Sequence, residues 1–483
     1  MDENRKNPVA KTRQVRDTMG VLEVPADAYY GAQTARAVRN FPLTGLRAHP
    51  EFVRAMAAIK IAAARSNAAL GLLPPETAGA IEKAALEIFH GALAGQFPVD
   101  AFSAGAGTSL HMNVNEVIAA RAAELLSGDR GRTDLAHAND HVNLGQSTND
   151  VVPAAMRIAA GVLSRRLRVE TEKTAGVLRE KAAEFDDVIK AGRTHLQDAV
   201  PVRLGQEFGG YATSMARWSD RLLRNEDDLA ELGIGGSAAG TGLNTLPPFR
   251  GEVVEQLGAL YNHTFRPAED LFEAMQSQAA IVDVVATARG LAVDLLRITN
   301  DLRLLSSGPR TGLAEIALPA VQPGSSIMPG KVNPVIAEST AMICYQVIGC
   351  DAAVAAAAQA GQLELNVMMP AICWNSLFAL EVLGNALANL RERCLRGIRA
   401  DASRCLTYAE SSVSLATILN PILGYERAAA LVKRAVESGE SLRAVLEREP
   451  SVKPADLEQI FDLRRWTEPG LLRREAPEAP PSS

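Results

Sequence analysis

The chain has 483 residues, 47% of them apolar and 22% charged, with a formal net charge of -6. No long basic run is present, which argues against nucleic-acid binding. Aromatic residues make up only 5% while alanine abounds, which favours close-packed helices over a β-sandwich.

The length fits roughly two to four domains, or one large helical array. The five cysteines are Cys344, Cys350, Cys373, Cys394 and Cys405. The number is odd and no C-x-x-C pair occurs, so buried free thiols in a reducing cytoplasm are expected rather than a disulfide framework or zinc site. The N-terminus has no apolar core of a signal peptide. No uninterrupted apolar run of about 18 residues occurs, so no membrane span is expected.

Residues 1–15 read as a mobile polar tail, and Met19 to Pro25 as a short extended piece. Apolar residues at helical spacing run from Pro50 to Leu70 and again from Pro75 to Leu93. Ala101 to Val117 is a glycine-rich turn entering a helix. Gly131 to Pro153 is a polar crossing that ends in Ser147, Thr148 and Asn149, residue types that cap helices.

Long helical patterns then dominate, over Ala154–Phe185, Gly205–Leu232, Met275–Leu305, Ile336–Gly361 and Trp374–Arg396. Helices of this length argue for a bundle. Several are apolar around more than one face, so they must be buried on all sides. A homo-oligomer in which bundles from several subunits pack together would hide that surface. Residues 401–465 form a smaller helical piece, and the Pro- and charge-rich end from Glu468 is expected to be disordered.

Four polar clusters sit between the long helices. They are Gly105-Ala106-Gly107-Thr108-Ser109, Gln146-Ser147-Thr148-Asn149-Asp150, Gly192-Arg193-Thr194-His195-Leu196-Gln197-Asp198 and Gly324-Ser325-Ser326-Ile327-Met328-Pro329-Gly330-Lys331-Val332-Asn333-Pro334. Together they supply many hydroxyl and amide donors, a lysine and a histidine, with few acids. Such a set suits a small anion with more than one carboxylate. Lys331, held between Pro329-Gly330 and Asn333-Pro334, suits a carboxylate anchor. A lone histidine is more often structural than catalytic, but the polar surroundings of His195 make it a ligand-binding candidate. His137, Asn139, Asp140 and His141 are explained about equally well by turn formation and by binding. No metal-ligand spacing such as H-E-x-x-H is present. The glycine-rich stretch from Gly233 to Gly242 follows a helix, not a strand, and reads as a tight connection bordering the pocket.

In order, and over nearly the whole chain, these clusters resemble those of the aspartase/fumarase superfamily. The resemblance implies an all-α, three-domain lyase. Its central bundle of long helices would assemble into a multi-helix homotetramer core, with active sites shared between subunits. The domains would span 1–148, 149–402 and 403–483. The implied reaction abstracts a proton next to a carboxylate, passes through an aci-carboxylate and releases a dicarboxylate such as fumarate, with no cofactor and no metal. By motif, Ser325 would be the general base. Lys331 and Asn333 would bind a substrate carboxylate with help from Ser326. Thr108, Ser109, Ser147, Thr148, Asn149, Thr194 and His195 would line the pocket, and Glu338 would stand behind them.

Within the superfamily, G-A-G-T-S and Q-S-T-N-D match the aspartase branch better than G-S-G-T-Q and Q-S-S-N-D of the fumarases. The implied activity is therefore release of ammonia from aspartate. A fumarate hydratase or an ammonia-lyase for another substituted succinate is the alternative. Two residues depart from the pattern. His111 stands where the family usually has Asn, and Met369 stands where aspartases usually have Glu.

Overall fold

The structure is a computed structural model that describes residues 11–471. The chain begins with an antiparallel hairpin, strands β1 (Thr12–Asp17) and β2 (Gly20–Pro25), paired from Thr12↔Pro25 to Asp17↔Gly20. This corrects the reading of residues 12–15 as tail. The turn is set by Asp17, whose carboxylate accepts the Met19 N–H at 2.9 Å, and by Gly20 at φ +118°. Residues 1–10 and 472–483, the rest of the expected tails, lie outside the described residues.

Helices α1 (Ala32–Asn40), α2 (Pro50–Ala69), α3 (Pro75–Phe89) and α4 (Thr108–Ser127) follow. Glu116 of α4 holds the start of α1. Its carboxylate accepts the N–H groups of Gly31, Gln33 and Thr34 at 2.8–3.1 Å and the Thr34 hydroxyl at 2.6 Å. A carboxylate there satisfies N–H groups that a helix start leaves open. The middle of α2 is buried on every side, from Ala55 through Ala63. Lys60 lies inside that run and is fully buried with it.

The long helices are α5 (Thr148–Glu184), α6 (Leu204–Leu229), α9 (Ala279–Leu305), α10 (Val335–Ala358) and α11 (Met369–Arg393), with α7 (Phe249–Tyr261) and α8 (Leu271–Gln276) between. A second hairpin, β3 (Ile189–Thr194) and β4 (Gln197–Arg203), joins α5 to α6. The C-terminal segment starts with α12 (Ala402–Ser411) and packs its shorter helices around Leu415, Leu419, Leu431, Val445, Leu446 and Ile460. The fold is all-α with a few small hairpins, as expected.

By internal contacts the chain forms two compact units. The first takes the chain up to Val169, then Trp218–Val293 and Ile343–Asn385. The second takes Glu170–Arg217, Asp294–Met342 and the chain from Ala386 onward. In the first unit, the ring of Trp218 on α6 occupies the space that a Cβ at Gly290 on α9 would need, so only glycine fits. In the second, the Ser214 hydroxyl donates to Asp294 at 2.6 Å and the Tyr211 hydroxyl to Asp301 at 3.0 Å, again joining α6 to α9.

Two segments, Val335–Ala358 and Met369–Gly397, are long and apolar enough to cross a membrane by length and composition. The run sought in the sequence is interrupted in the first by Glu338, Gln346 and Asp351. Only 28% of the most apolar window of α10 is buried within the chain. Met342 and Tyr345 on it are 67% and 60% exposed.

Candidate active site

In the first unit, the turn before α4 puts three consecutive residues, Gly105, Ala106 and Gly107, in the left-handed region. Gly107 is required twice. Its φ is +91°, and a Cβ would come within 3.1 Å of both methyls of Val152. This tight approach sets the start of α4 against the start of α5. The hydroxyls of Thr108 and Thr148, each at the first position of its helix, lie 3.2 Å apart. Two helix N-termini meeting at two hydroxyls make a place where negative charge is favoured. Ser109 lines a cavity of about 920 Å³ together with Thr108, Arg16, Arg130, His137 and Asn139.

Ser147 does the capping. Its Oγ accepts the Asn149 N–H at 3.3 Å, while its own N–H goes to Asp150 at 2.9 Å. Asn149 donates to the carbonyl of Ala238 at 2.8 Å. Asp150 is buried and takes the N–H groups of Gly235 and Ser237 as well. The Gly233–Gly242 stretch is thus a close connection. A Cβ at Gly233 would fall 2.9 Å from Ala274 Cβ, and one at Gly236 2.6 Å from the Met275 sulfur. Burial raises the Asp150 carboxyl to about 6 against the pull of its N–H donors.

Behind the two threonines lies a polar core of which sequence reading names His111 and Gln146 but misses Lys60 and Asn143. His111 Nδ1 is 2.9 Å from Thr148 Oγ1, and His111 Nε2 is 2.7 Å from Lys60 Nζ. Lys60 also reaches Asn143 Oδ1 at 3.0 Å and Gln146 Oε1 at 2.8 Å. Burial pulls the Lys60 ammonium down to about 7. Burial first, and the nearby Lys60 charge second, hold His111 well below its ordinary value, so its ring is neutral. A signal for Lys60 existed: a single lysine in the apolar run AIKIAAA needs a buried partner. Of the two departures, His111 reaches the threonines, whereas Met369 is fully buried in an apolar pocket with Phe52, Val152 and Trp374.

In the second unit, the loop from Gly324 to Pro334 is closed on itself. Gly324 N–H donates to the Lys331 carbonyl at 2.7 Å, and Asn333 Nδ2 donates to the Gly324 carbonyl at 2.7 Å. Asn333 therefore spends one donor on shaping the loop. A Cβ at Gly324 would lie 2.7 Å from that Lys331 carbonyl oxygen. Ser325 Oγ accepts two main-chain N–H groups, from Ile327 at 3.2 Å and Met328 at 3.0 Å. Two such donors lessen the cost of forming an alkoxide there, while the hydroxyl stays the resting form. Ser326 and Lys331 are exposed on the same loop, and Glu338 is half-buried in the first turn of α10.

Thr194 and His195 stand at the tip of the β3–β4 hairpin. His195 and Leu196 form its two-residue turn, at φ +55° and +59°. Such turns favour Asn-Gly, and non-glycine residues there carry strain of about 1–2 kcal/mol each. Both Thr194 and His195 are exposed. The strand below is anchored by Arg193, whose guanidinium meets the buried Glu315 at 2.8 and 3.0 Å, with Lys190 3.3 Å away. The structure thus groups Thr108, Ser109, Ser147, Thr148 and Asn149 in the first unit. Thr194, His195, Ser325, Ser326, Lys331, Asn333 and Glu338 belong to the second.

A family model described as "Lyase" matches residues 20–349, and one described as "Fumarase C C-terminus" matches residues 415–468. An aspartate ammonia-lyase of a Bacillus species is 43% identical over 460 residues, covering 95% of this chain and 98% of that protein. A class II fumarate hydratase of Halobacterium salinarum is 46% identical over 465 residues, with the same coverage of 95% and 98%. Among solved structures, a Brucella melitensis protein described as fumarate lyase:delta crystallin superposes with a TM-score of 0.92 at 45% identity. It covers 95% of this chain and all of that one. The chain is a lyase and belongs to the aspartase/fumarase superfamily.

Proposed function

We propose that the protein is an L-aspartate ammonia-lyase, releasing ammonia and fumarate reversibly. The observation that carries the chemistry is Ser325, whose Oγ accepts two backbone N–H groups in a loop that also presents Lys331. A serine alkoxide so held takes the proton next to the substrate carboxylate. The second negative charge that develops there is met by Lys331 and by hydroxyl donors of the Thr108 and Thr148 kind. Expulsion of the amine from the adjacent carbon completes the double bond of fumarate. Ser147, Asn149, Thr194, His195, Ser326 and Asn333 serve as further substrate contacts, with Glu338 behind them. Loop closure over the substrate excludes water and raises the basicity of Ser325.

Aspartate is preferred over malate on the residues Gly105-Ala106-Gly107-Thr108-Ser109 and Gln146-Ser147-Thr148-Asn149-Asp150. The second reading, a class II fumarate hydratase, draws on the 46% identity to the Halobacterium protein, and the relatives of both kinds are about equally similar. The exposed apolar face of α10 supports a homotetramer, where copies of this helix bury one another, with active sites completed across subunits. Five buried unpaired thiols fit a cytoplasmic setting.

The deciding assay mixes the purified protein with L-aspartate and, separately, with L-malate, and follows fumarate absorbance. Fumarate from aspartate alone is the expected result. Fumarate from malate alone would replace the ammonia-lyase with the hydratase. Silence with both would point to another substituted succinate, found by running fumarate backwards with a panel of amines.

A further inference from the structure

We infer that Lys60 and His111 are positioning residues that set the two threonine hydroxyls as hydrogen-bond donors toward a carboxylate. The inference rests on the reading above that Thr108 and Thr148 contact the substrate.

The argument is a count of protons. Below a pH of about 7, the value to which burial pulls it, Lys60 is an ammonium, with three donors and no acceptor. Lys60 Nζ meets three partners: Asn143 Oδ1, Gln146 Oε1 and His111 Nε2. The two amides are oriented independently of Lys60. Asn143 Nδ2 donates to the Gln146 carbonyl at 3.1 Å, and Gln146 Nε2 donates to the carbonyls of Val142 and Leu144 at 3.1 and 3.2 Å. Their oxygens therefore face Lys60, and the third ammonium proton goes to His111 Nε2. A neutral imidazole that accepts at Nε2 carries its proton on Nδ1. That proton is given to Thr148 Oγ1, 2.9 Å away.

The consequence reaches the surface. Two hydroxyls hold two protons, and one of them fills the 3.2 Å contact between Thr108 and Thr148. The other is left over to face a ligand. With the opposite tautomer, His111 Nδ1 would accept from Thr148, and Thr148 would accept from Thr108. Both protons would then be spent inward, and the pair would show only lone pairs to an approaching carboxylate. One buried proton decides whether this corner attracts or repels an anion. The asparagine usual in the family at position 111 can donate to Thr148 without any tautomer, so the lysine's grip matters here because the residue is histidine.

The test uses the assembled wild-type protein and the variants His111→Leu, His111→Asn and Lys60→Met below pH 7, where Lys60 carries its charge, with fumarate binding read by calorimetry and folding by thermal melting. Fumarate is common to both catalytic readings, so the outcome does not depend on the leaving group. His111→Leu and Lys60→Met are expected to weaken fumarate binding about 10- to 100-fold, the usual loss of a bond to a charged group. His111→Asn is expected to restore most of it, which a mere packing role would not do, since Asn and Leu have similar size. Unchanged affinity in folded His111→Leu overturns the proposal. Neutron diffraction on wild-type crystals held below pH 7 reads the tautomer directly. A deuteron on Nε2 overturns the proposal whatever the protein binds, and a deuteron on Nδ1 supports it. Failure of the wild type to bind fumarate would instead remove the dicarboxylate reading of the pocket, and the neutron result would still judge the tautomer.

Discussion

The guanidinium of the partly buried Arg193 and the fully buried carboxylate of Glu315 form a pair, with both contacts made through Nη1 at 2.8 and 3.0 Å. Arg193 immediately precedes Thr194 and His195, so this pair fixes the base of the strained turn that carries them. Glu315 is fully buried and Lys190 shares its charge. Removing Glu315 leaves the partly buried Arg193 without its carboxylate, while Lys190 keeps Glu207 at 2.8 Å, so the cost is about 1–3 kcal/mol, below that of breaking a fully buried pair. Glu315→Ala is therefore expected to lose stability of that order in urea unfolding and to lower kcat as the tip loses its footing. A variant within about 1 kcal/mol of wild type would show that the pair is solvated rather than buried.

Ser325→Ala should stay folded and assembled, because the Ser325 hydroxyl only closes a local turn on Ile327 and Met328. Turnover should fall by about 100- to 10,000-fold, the usual range for a positioned base. The check is initial rate against melting temperature on the same preparation. Activity surviving the change would move the base elsewhere.

Lys60 gives a pH signature in stability. Its folded value, about 7, lies below the ordinary lysine value of 10.5, so the unfolded chain binds more protons between those limits. The destabilisation from burying the ammonium is complete below pH 7 and is relieved as pH rises towards 10.5. Relative to Lys60→Met, the wild type should gain stability across that window at up to about 1.4 kcal/mol per pH unit. Asp150, the carboxyl that opposes the shift, titrates near 6 and lies below the window. Chemical denaturation of both proteins over the alkaline range measures the slope. A flat difference would mean that Lys60 keeps its ordinary value.

All five cysteines are buried and unpaired. Burial raises the thiols of Cys344, Cys394 and Cys405 to about 12, and pushes Cys350 and Cys373 up as well. The thiolate is the reactive form. The native protein should therefore resist a disulfide thiol reagent at mildly alkaline pH and expose five thiols once denatured. Rapid labelling of the native protein would reveal opening around α10, α11 or α12.

The long helices were legible because an apolar face at helical spacing survives any context. The expected span Met275–Leu305 compares with Ala279–Leu305 in α9, and Ile336–Gly361 with Val335–Ala358 in α10. Of the hairpins, only β2 was legible, as the extended piece Met19 to Pro25. β3 and β4 hold polar clusters rather than alternating apolar residues, and their turn uses His195-Leu196 instead of Asn-Gly. The hydroxyl and loop residues of the candidate site could be read as motifs. Their support could not, since Lys60, His111 and Gln146 meet over separations of 51 and 86 residues. Pairing at such distances is a property of packing, and no local pattern announces it.

The outward apolar face of α10 also bears on how the protein is made. A newly folded chain carries Met342 and Tyr345 bare in water. Until that surface is covered, the chain is adhesive. If the proposed homotetramer covers it, reaching the final state involves an encounter between chains, so refolding should speed up with protein concentration and fail by aggregation when encounters are unselective. Diluting the protein should work against it by mass action. In the proposed homotetramer, stability is a property of how much protein is present, and not of one molecule alone.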